Sequence, residues 1–138
     1  MRWFPLLLLA AGACGNQDLD RSPGKELSYQ HDAQWPALPA DAQMGQVAGV
    51  AVDSTDRVYV FHRAGAGFDN ETIIDEPTVF VFDAETGALV DRWGSGLFAV
   101  PHGISIDAHD HVWLTDTTLN LVFECTTQGV VLGRYDGR

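Results

Sequence analysis

The chain has 138 residues, with 19 acidic and 8 basic side chains and a formal net charge of −11. A nucleic-acid partner requires a basic face that binds the phosphates. The acidic charge balance of the chain therefore excludes a nucleic-acid partner. The acidity instead favours solubility. The only cysteines are Cys14 and Cys125, so the sequence offers no disulfide framework. Cys125 is expected in a strand near a turn.

Residues 1–13 have the pattern of an export signal. Arg2 is positive, residues 3–11 are an apolar run, and small residues precede Cys14. The run is too short for a membrane-spanning helix. Cleavage before a lipidated Cys14 resembles a bacterial lipoprotein, although Ala11 stands where Leu is usual. We therefore expect an exported cell-envelope lipoprotein on the periplasmic or extracellular side, held to the membrane through Cys14 alone. Simple secretion is the alternative.

A polar tether and a folded domain follow this signal. Residues 14–34 are poor in apolar side chains and predict a flexible tether. Residues 35–138 predict the domain. Within it, residues 49–63 align without a gap on residues 103–117, with glycine, apolar residues, aspartate, a polar turn and a second apolar stretch in the same order. Each copy predicts a β-hairpin whose turn is formed by Asp53 or Asp107.

A second hairpin follows each copy of the pattern. Residues 78–93 correspond to residues 121–135, with Gly87 and Gly129 in equivalent turns, and the loop around residues 64–76 is longer in the first copy. Four short strands in each unit of about 40 to 50 residues predict a blade of a β-propeller. The fold class is therefore all-β, a propeller of NHL-type repeats with about two blades. We expect the N-terminal part of a longer, truncated propeller.

Several segments resemble the peptidylamidoglycolate lyase (peptidyl-α-hydroxyglycine α-amidating lyase) family. They are residues 35–39, 45–53, 60–63, 101–107, 112–116 and 122–123. The selective part is Phe61-His62-Arg63 followed by Pro101-His102-Gly103, since the remainder is common to NHL-type repeats. The resemblance implies a six-bladed propeller that cleaves peptidyl-α-hydroxyglycine, a small peptide hemiaminal, into peptide amide and glyoxylate with zinc as cofactor.

The resemblance also implies roles for four residues. Arg63 matches the active-site arginine, His102 a zinc ligand, and Val50 and Ile104 the backbone carbonyls that bind a structural calcium ion. The repeat supports the calcium expectation, because Val50 and Ile104 hold the same position in the two copies and hard oxygen ligands suit calcium. Catalytic zinc sites use three protein ligands, so with one candidate histidine we expect the chain as written to be inactive.

Alternatives stand beside these expectations. His102 and Arg63 also fit a hydrogen-bonded loop histidine and a solvated strand-end arginine. Neighbouring strand residues point to opposite faces, so His62 is not expected to share a site with Arg63. The turn residues 109–111 are expected to form a plain hairpin turn, and Asn120 stands where family members often carry histidine.

The sequence also leaves alternative functions open. One is a non-enzymatic NHL propeller that binds a protein or glycan, and another is a calcium-dependent propeller hydrolase, for which no inward carboxylates stand out.

With about two blades, we expect Val58, Val60 and Trp113 to lack part of their cover and the stability to be marginal.

Overall fold

The computed structural model describes residues 28–136, which form two four-stranded antiparallel sheets. The first blade contains β1 (Val47–Val52), β2 (Arg57–His62), β3 (Val79–Asp83) and β4 (Leu89–Trp93). The second blade contains β5 (Pro101–Ile106), β6 (Val112–Asp116), β7 (Leu121–Cys125) and β8 (Val131–Asp136). In both sheets the strands lie side by side in sequence order, so the predicted all-β fold with two propeller blades is confirmed.

Part of the sequence lies outside the described residues. This holds for the predicted signal at residues 1–13, for Cys14 and for most of the predicted tether. Across residues 28–136 we find no helix with the length and apolar character needed to cross a bilayer.

The first hairpin of each blade is closed by an aspartate, as the repeat predicts. One carboxylate oxygen of Asp53 accepts hydrogen bonds from two backbone N–H groups of its turn, and the other accepts the hydroxyl of Tyr59 at 3.0 Å. Asp107 repeats this arrangement and accepts Trp113 Nε1–H at 2.9 Å. The Trp113 bond and the two turn N–H groups lower the pKa of Asp107 to about 2. Both carboxylates therefore act as turn formers.

One face of the first blade packs on the second blade. Phe98, in the connection between the blades, is fully buried, and its ring meets Phe61 and Phe123 edge-on at centroid distances of 4.8 and 4.9 Å. Phe98 thus fills the space between the sheets. The buried residues of this core are Tyr59, Phe61, Val79, Val81, Trp93, Phe98, Val112, Leu114, Phe123 and Cys125.

The other face of the first blade is covered by the segment that precedes β1. Val60 is only 4% exposed because Trp35, Ala42 and Met44 pack on the cluster that contains it. The expectation that Val60 lacks cover is therefore wrong, since a segment distant in sequence folds back over it. Val58 and Trp113 remain partly buried.

A tryptophan rests on the second hairpin turn of each blade. Gly87 has φ of +69°, and a Cβ there would lie 2.8 Å from Trp35 Cδ1. Gly129 has φ of +81°, and a Cβ there would lie 2.6 Å from Trp93 Cδ2. Both turns therefore require glycine for backbone conformation and for close approach. Trp35 takes the place beside the first blade that Trp93 takes beside the second.

Candidate functional site

The first strands of the two blades lie next to each other and carry the predicted calcium positions. Gly49 allows β1 to approach β5 closely, since a Cβ there would be 3.0 Å from Ile104 Cγ2. Val50 pairs with Val60 and Ile104 with Leu114, which are equivalent register positions. Each of these strands is the edge of its sheet, where part of the backbone has no ladder partner. The calcium role of the two carbonyls stays a prediction.

His102 occupies a β-bulge. The register of β5 against β6 shifts between Pro101 and Gly103, so His102 is the extra residue, and its side chain is exposed. As a loop histidine, the alternative that the sequence leaves open, His102 would lie just before the strand. The structure places it inside the strand, because pairing already begins at Pro101. A bulge redirects the side chain that it carries, so the imidazole points away from the regular alternation of β5.

The backbone that leads into His102 is fixed by a buried carboxylate. Asp116 is 3% exposed, and its Oδ2 accepts the N–H groups of Ala99 and Val100 at 2.7 and 2.8 Å. Its Oδ1 accepts the N–H of Leu119 at 2.9 Å. Hydrogen bonds to a buried charged acceptor are strong, so this carboxylate fixes the backbone of Ala99 and Val100, which leads into the bulge.

The carbonyl groups of residues 99–101 are also all bonded. The donors, in order, are Asn70 Nδ2 at 2.8 Å, Thr117 N at 3.2 Å and Arg63 Nε at 3.0 Å. The backbone polar groups before His102 therefore have partners at both N–H and carbonyl. The backbone that leads into His102 is consequently held by three different segments of the chain.

Arg63, Phe68 and His102 lie next to each other. The Arg63 Cζ atom is 5.0 Å from the centroid of the Phe68 ring, within the range of a cation–π contact. The Phe68 and His102 rings meet edge-on with centroids 6.0 Å apart. Arg63 Nη1 donates to Gln46 Oε1 at 3.1 Å, and no hydrogen bond within residues 28–136 uses Nη2. The structure thus brings together two of the predicted site residues and adds an aromatic ring between them.

Known proteins are similar to this chain over much of its length. It is 38% identical over 103 residues to peptidyl-α-hydroxyglycine α-amidating lyase 2 of Drosophila melanogaster, covering 65% of this chain and 25% of that protein. It is 32% identical over 126 residues to the peptidylglycine α-amidating monooxygenase of Rattus norvegicus, covering 80% of this chain and 12% of that protein.

The chain is related to the peptidyl-α-hydroxyglycine α-amidating lyases. The resemblance predicted from the sequence is therefore confirmed. The chain spans a quarter or less of the length of these two relatives. No protein-family model matches it.

His62 is separate from this site, as the alternation predicts. Its side chain is fully buried, and its ring packs edge-on against Phe80 at 4.3 Å, on the covered face of the first blade. Nδ1 accepts the N–H of Ala64 at 3.0 Å and of Gly45 at 3.4 Å. In the repeat, His62 is equivalent to Asp116, and both receive backbone N–H groups. The lyase-like motif therefore contains one structural histidine.

Burial of His62 predicts a pH-dependent stability. Burial lowers the pKa of His62 to about 4, whereas an unfolded chain has a histidine pKa near 6.5. Between these values the unfolded state binds more protons, so the free energy of unfolding falls as pH decreases from about 6.5 to about 4. Urea midpoints measured across this range are expected to fall more steeply for the parent than for His62→Asn, which keeps an acceptor. Equal slopes would contradict the prediction.

The other histidines form no metal cluster. His111 Nδ1 lies 2.8 Å from Glu124 Oε1, and Tyr135 donates to the other oxygen of Glu124 at 2.6 Å. Within residues 28–136, no three His, Cys, Asp or Glu side chains are grouped for a metal ion. Asn120 lies exposed in the β6–β7 turn with φ of +53°. Cys125 is fully buried in β7, and burial raises its thiol pKa to about 11, as fits an unreactive core thiol.

The exposed imidazole of His102 fits one ligand of a zinc ion. Histidine nitrogen is a preferred zinc donor, and the bulge presents it away from the sheet. Within the described residues His102 belongs to no group of three or more His, Cys, Asp or Glu side chains that could hold a metal ion.

Sequence reasoning missed Phe68, Asn70 and Asp116. The longer loop of the first copy was the available signal for Phe68 and Asn70. The signal for Asp116 was its alignment with His62 in the repeat. Because the two residues are of different types, the sequence does not indicate that both bind backbone N–H groups.

Proposed function

We propose that this chain supplies one side of a lyase site that cleaves peptidyl-α-hydroxyglycine into a peptide amide and glyoxylate. The observation that carries the proposal is the fixed cluster of Arg63, Phe68 and His102. Two related proteins are named as enzymes of peptide α-amidation, which supports the same chemistry.

The substrate ends in a carbon that carries a hydroxyl, a carboxylate and the amide nitrogen. The hydroxyl loses its proton, and its oxygen forms the C=O bond of glyoxylate as the C–N bond breaks. The electron pair of the C–N bond passes to nitrogen, which takes up a proton to give the peptide amide. We assign binding of the carboxylate to Arg63, because a guanidinium matches two carboxylate oxygens and its Nη2 donates no hydrogen bond to residues 28–136. The bonds of Nε and Nη1 fix its orientation.

We further propose His102 as a zinc ligand and the carbonyls of Val50 and Ile104 as calcium ligands. A zinc ion bound there would stabilise negative charge on the hydroxyl oxygen. The His102 ring lies against the Phe68 ring that also contacts the guanidinium, and the bonds of residues 99–101 hold the backbone that leads into His102.

Binding and turnover of N-acetyl-Phe-α-hydroxyglycine test this proposal. We expect the chain, with zinc and calcium added, to bind the peptide but to release glyoxylate at no more than the uncatalysed rate, because one imidazole does not complete a catalytic zinc site. Binding by calorimetry and glyoxylate by a colorimetric assay measure the two quantities. Absence of binding would contradict the proposal, and turnover lost in His102→Ala would contradict the expected inactivity.

A non-enzymatic NHL propeller that binds a protein or glycan is the competing function. It would be favoured if the hydroxyglycine peptide and a peptide amide of the same sequence bound equally well. In that case the guanidinium of Arg63 would have no role in recognising a carboxylate.

We also propose that residues 1–13 export the chain and that Cys14 carries a lipid anchor. The support is the sequence pattern, since these residues lie outside the described part. Cys14→Ser is expected to move the exported protein from the membrane fraction to the soluble fraction. Unchanged fractionation would contradict lipidation.

A further inference from the structure

We propose that Phe68 forms a subsite for an apolar side chain of the peptide, at the residue that precedes the C-terminal hydroxyglycine. The inference rests on the proposed function, in which Arg63 binds the substrate carboxylate. It adds a specificity-determining residue to that site and names the side-chain class that it selects.

The Phe68 ring is displayed at the site and does not belong to the core. It is 61% exposed and lies in neither buried cluster, whereas Phe98 is fully buried. One part of the ring receives the Arg63 guanidinium, and the His102 ring approaches edge-on. The remaining surface is apolar, accessible and adjacent to both predicted site residues.

The loop that carries Phe68 is tied to the second blade. Asn70 Nδ2 donates to the carbonyl of Ala99 at 2.8 Å and to that of Thr72 at 2.6 Å. Thr118 Oγ1 donates to the carbonyl of Asn70 at 3.2 Å. These bonds fix the loop two residues after the ring. An exposed aromatic ring held in this way is prepared to contact a ligand, because little freedom is lost on binding.

The spacing fits the residue before the hydroxyglycine. The centroid of the Phe68 ring lies 5.0 Å from Arg63 Cζ, in the guanidinium that we assign to binding of the carboxylate. One extended residue spans about 3.3–3.6 Å, so a peptide anchored by its C-terminal carboxylate brings the preceding side chain to a distance of this order. Contact with an aromatic ring stabilises the binding of large apolar and aromatic side chains. The methyl group of an alanine covers little of the ring.

Two stable peptides measure the preference directly. N-acetyl-Phe-Ser and N-acetyl-Ala-Ser keep the amide N–H and the C-terminal carboxylate, and they carry the hydroxyl one carbon further out, so they do not break down. We expect the parent chain to bind the Phe peptide about fivefold to tenfold more tightly than the Ala peptide, measured by calorimetry. In Phe68→Ala both peptides are expected to bind with the affinity that the parent has for the Ala peptide.

Two further variants separate a subsite from a structural role. Phe68→Tyr retains the ring and is expected to retain the preference, whereas Phe68→Gln is expected to lose it, with unchanged thermal unfolding in each case. If the ring only held Arg63 in place, Phe68→Ala would weaken both peptides equally, and the inference would be overturned.

The remaining outcomes distinguish the two proposals. Equal binding of both peptides by the parent overturns the subsite and leaves the proposed function standing. A preference that survives in Phe68→Ala also overturns the subsite alone. If the parent binds neither peptide, carboxylate recognition fails, and the subsite fails with it.

Discussion

Replacement of Phe98 by alanine is expected to lower the free energy of unfolding by about 3–5 kcal/mol. The ring is fully buried between the two sheets and touches an aromatic ring of each blade. Its removal leaves a cavity where the blades meet, and the surrounding residues relax only partly into such a gap. Urea unfolding monitored by circular dichroism gives the loss.

Phe68→Ala is the matched control for this change. It removes the same atoms from a ring that is 61% exposed, so its unfolding midpoint is expected to stay close to that of the parent. If Phe98→Ala unfolded at the same urea concentration as Phe68→Ala, the blades would not depend on the buried ring for their packing.

Asp116→Asn is expected to reduce stability by about 2–3 kcal/mol. The two carboxylate oxygens accept three backbone N–H groups from both sides. An amide offers one acceptor oxygen and turns its NH₂ group toward the remaining N–H donors. At least one buried donor then loses its partner, which is the origin of the cost. Urea unfolding gives the loss, and hydrogen exchange at Ala99 and Val100 locates it.

Asp41→Asn serves as the control, because its exposed carboxylate forms only a surface pair with Arg92 at 3.0 Å. We expect no measurable change in the unfolding midpoint for this variant. Retained protection of the Ala99 and Val100 amides in Asp116→Asn would contradict the role assigned to the buried carboxylate.

The strands and turns could be predicted because local chemistry determines them. Asp53 and Asp107 bind their own turns, and Gly87 and Gly129 adopt positive φ, so the repeat already contains the reason for each hairpin. The cover over Val60 could not be predicted, because residues 35–44 follow no repeat pattern that indicates which face they pack against.

The site was partly accessible from the sequence. Arg63 and His102 stood out through the family resemblance. The bulge at His102 depends on where pairing with β6 begins, which a strand pattern leaves undetermined to within a residue. Phe68 reaches the site through a loop whose path is fixed by long-range bonds of Asn70, so its neighbours were not predictable from local sequence.

Recognition of a substrate carboxylate by Arg63, beside His102, can be measured directly. It is tested by the affinity of the chain for N-acetyl-Phe-Ser relative to the same peptide with a C-terminal amide. We expect the carboxylate form to bind at least about tenfold more tightly in the parent, and the difference to vanish in Arg63→Gln. Arg134→Gln, which removes an exposed guanidinium 5.4 Å from the Phe123 ring, should keep it. Equal affinity for the two peptides in the parent, or a difference that survives in Arg63→Gln, would contradict carboxylate recognition by Arg63.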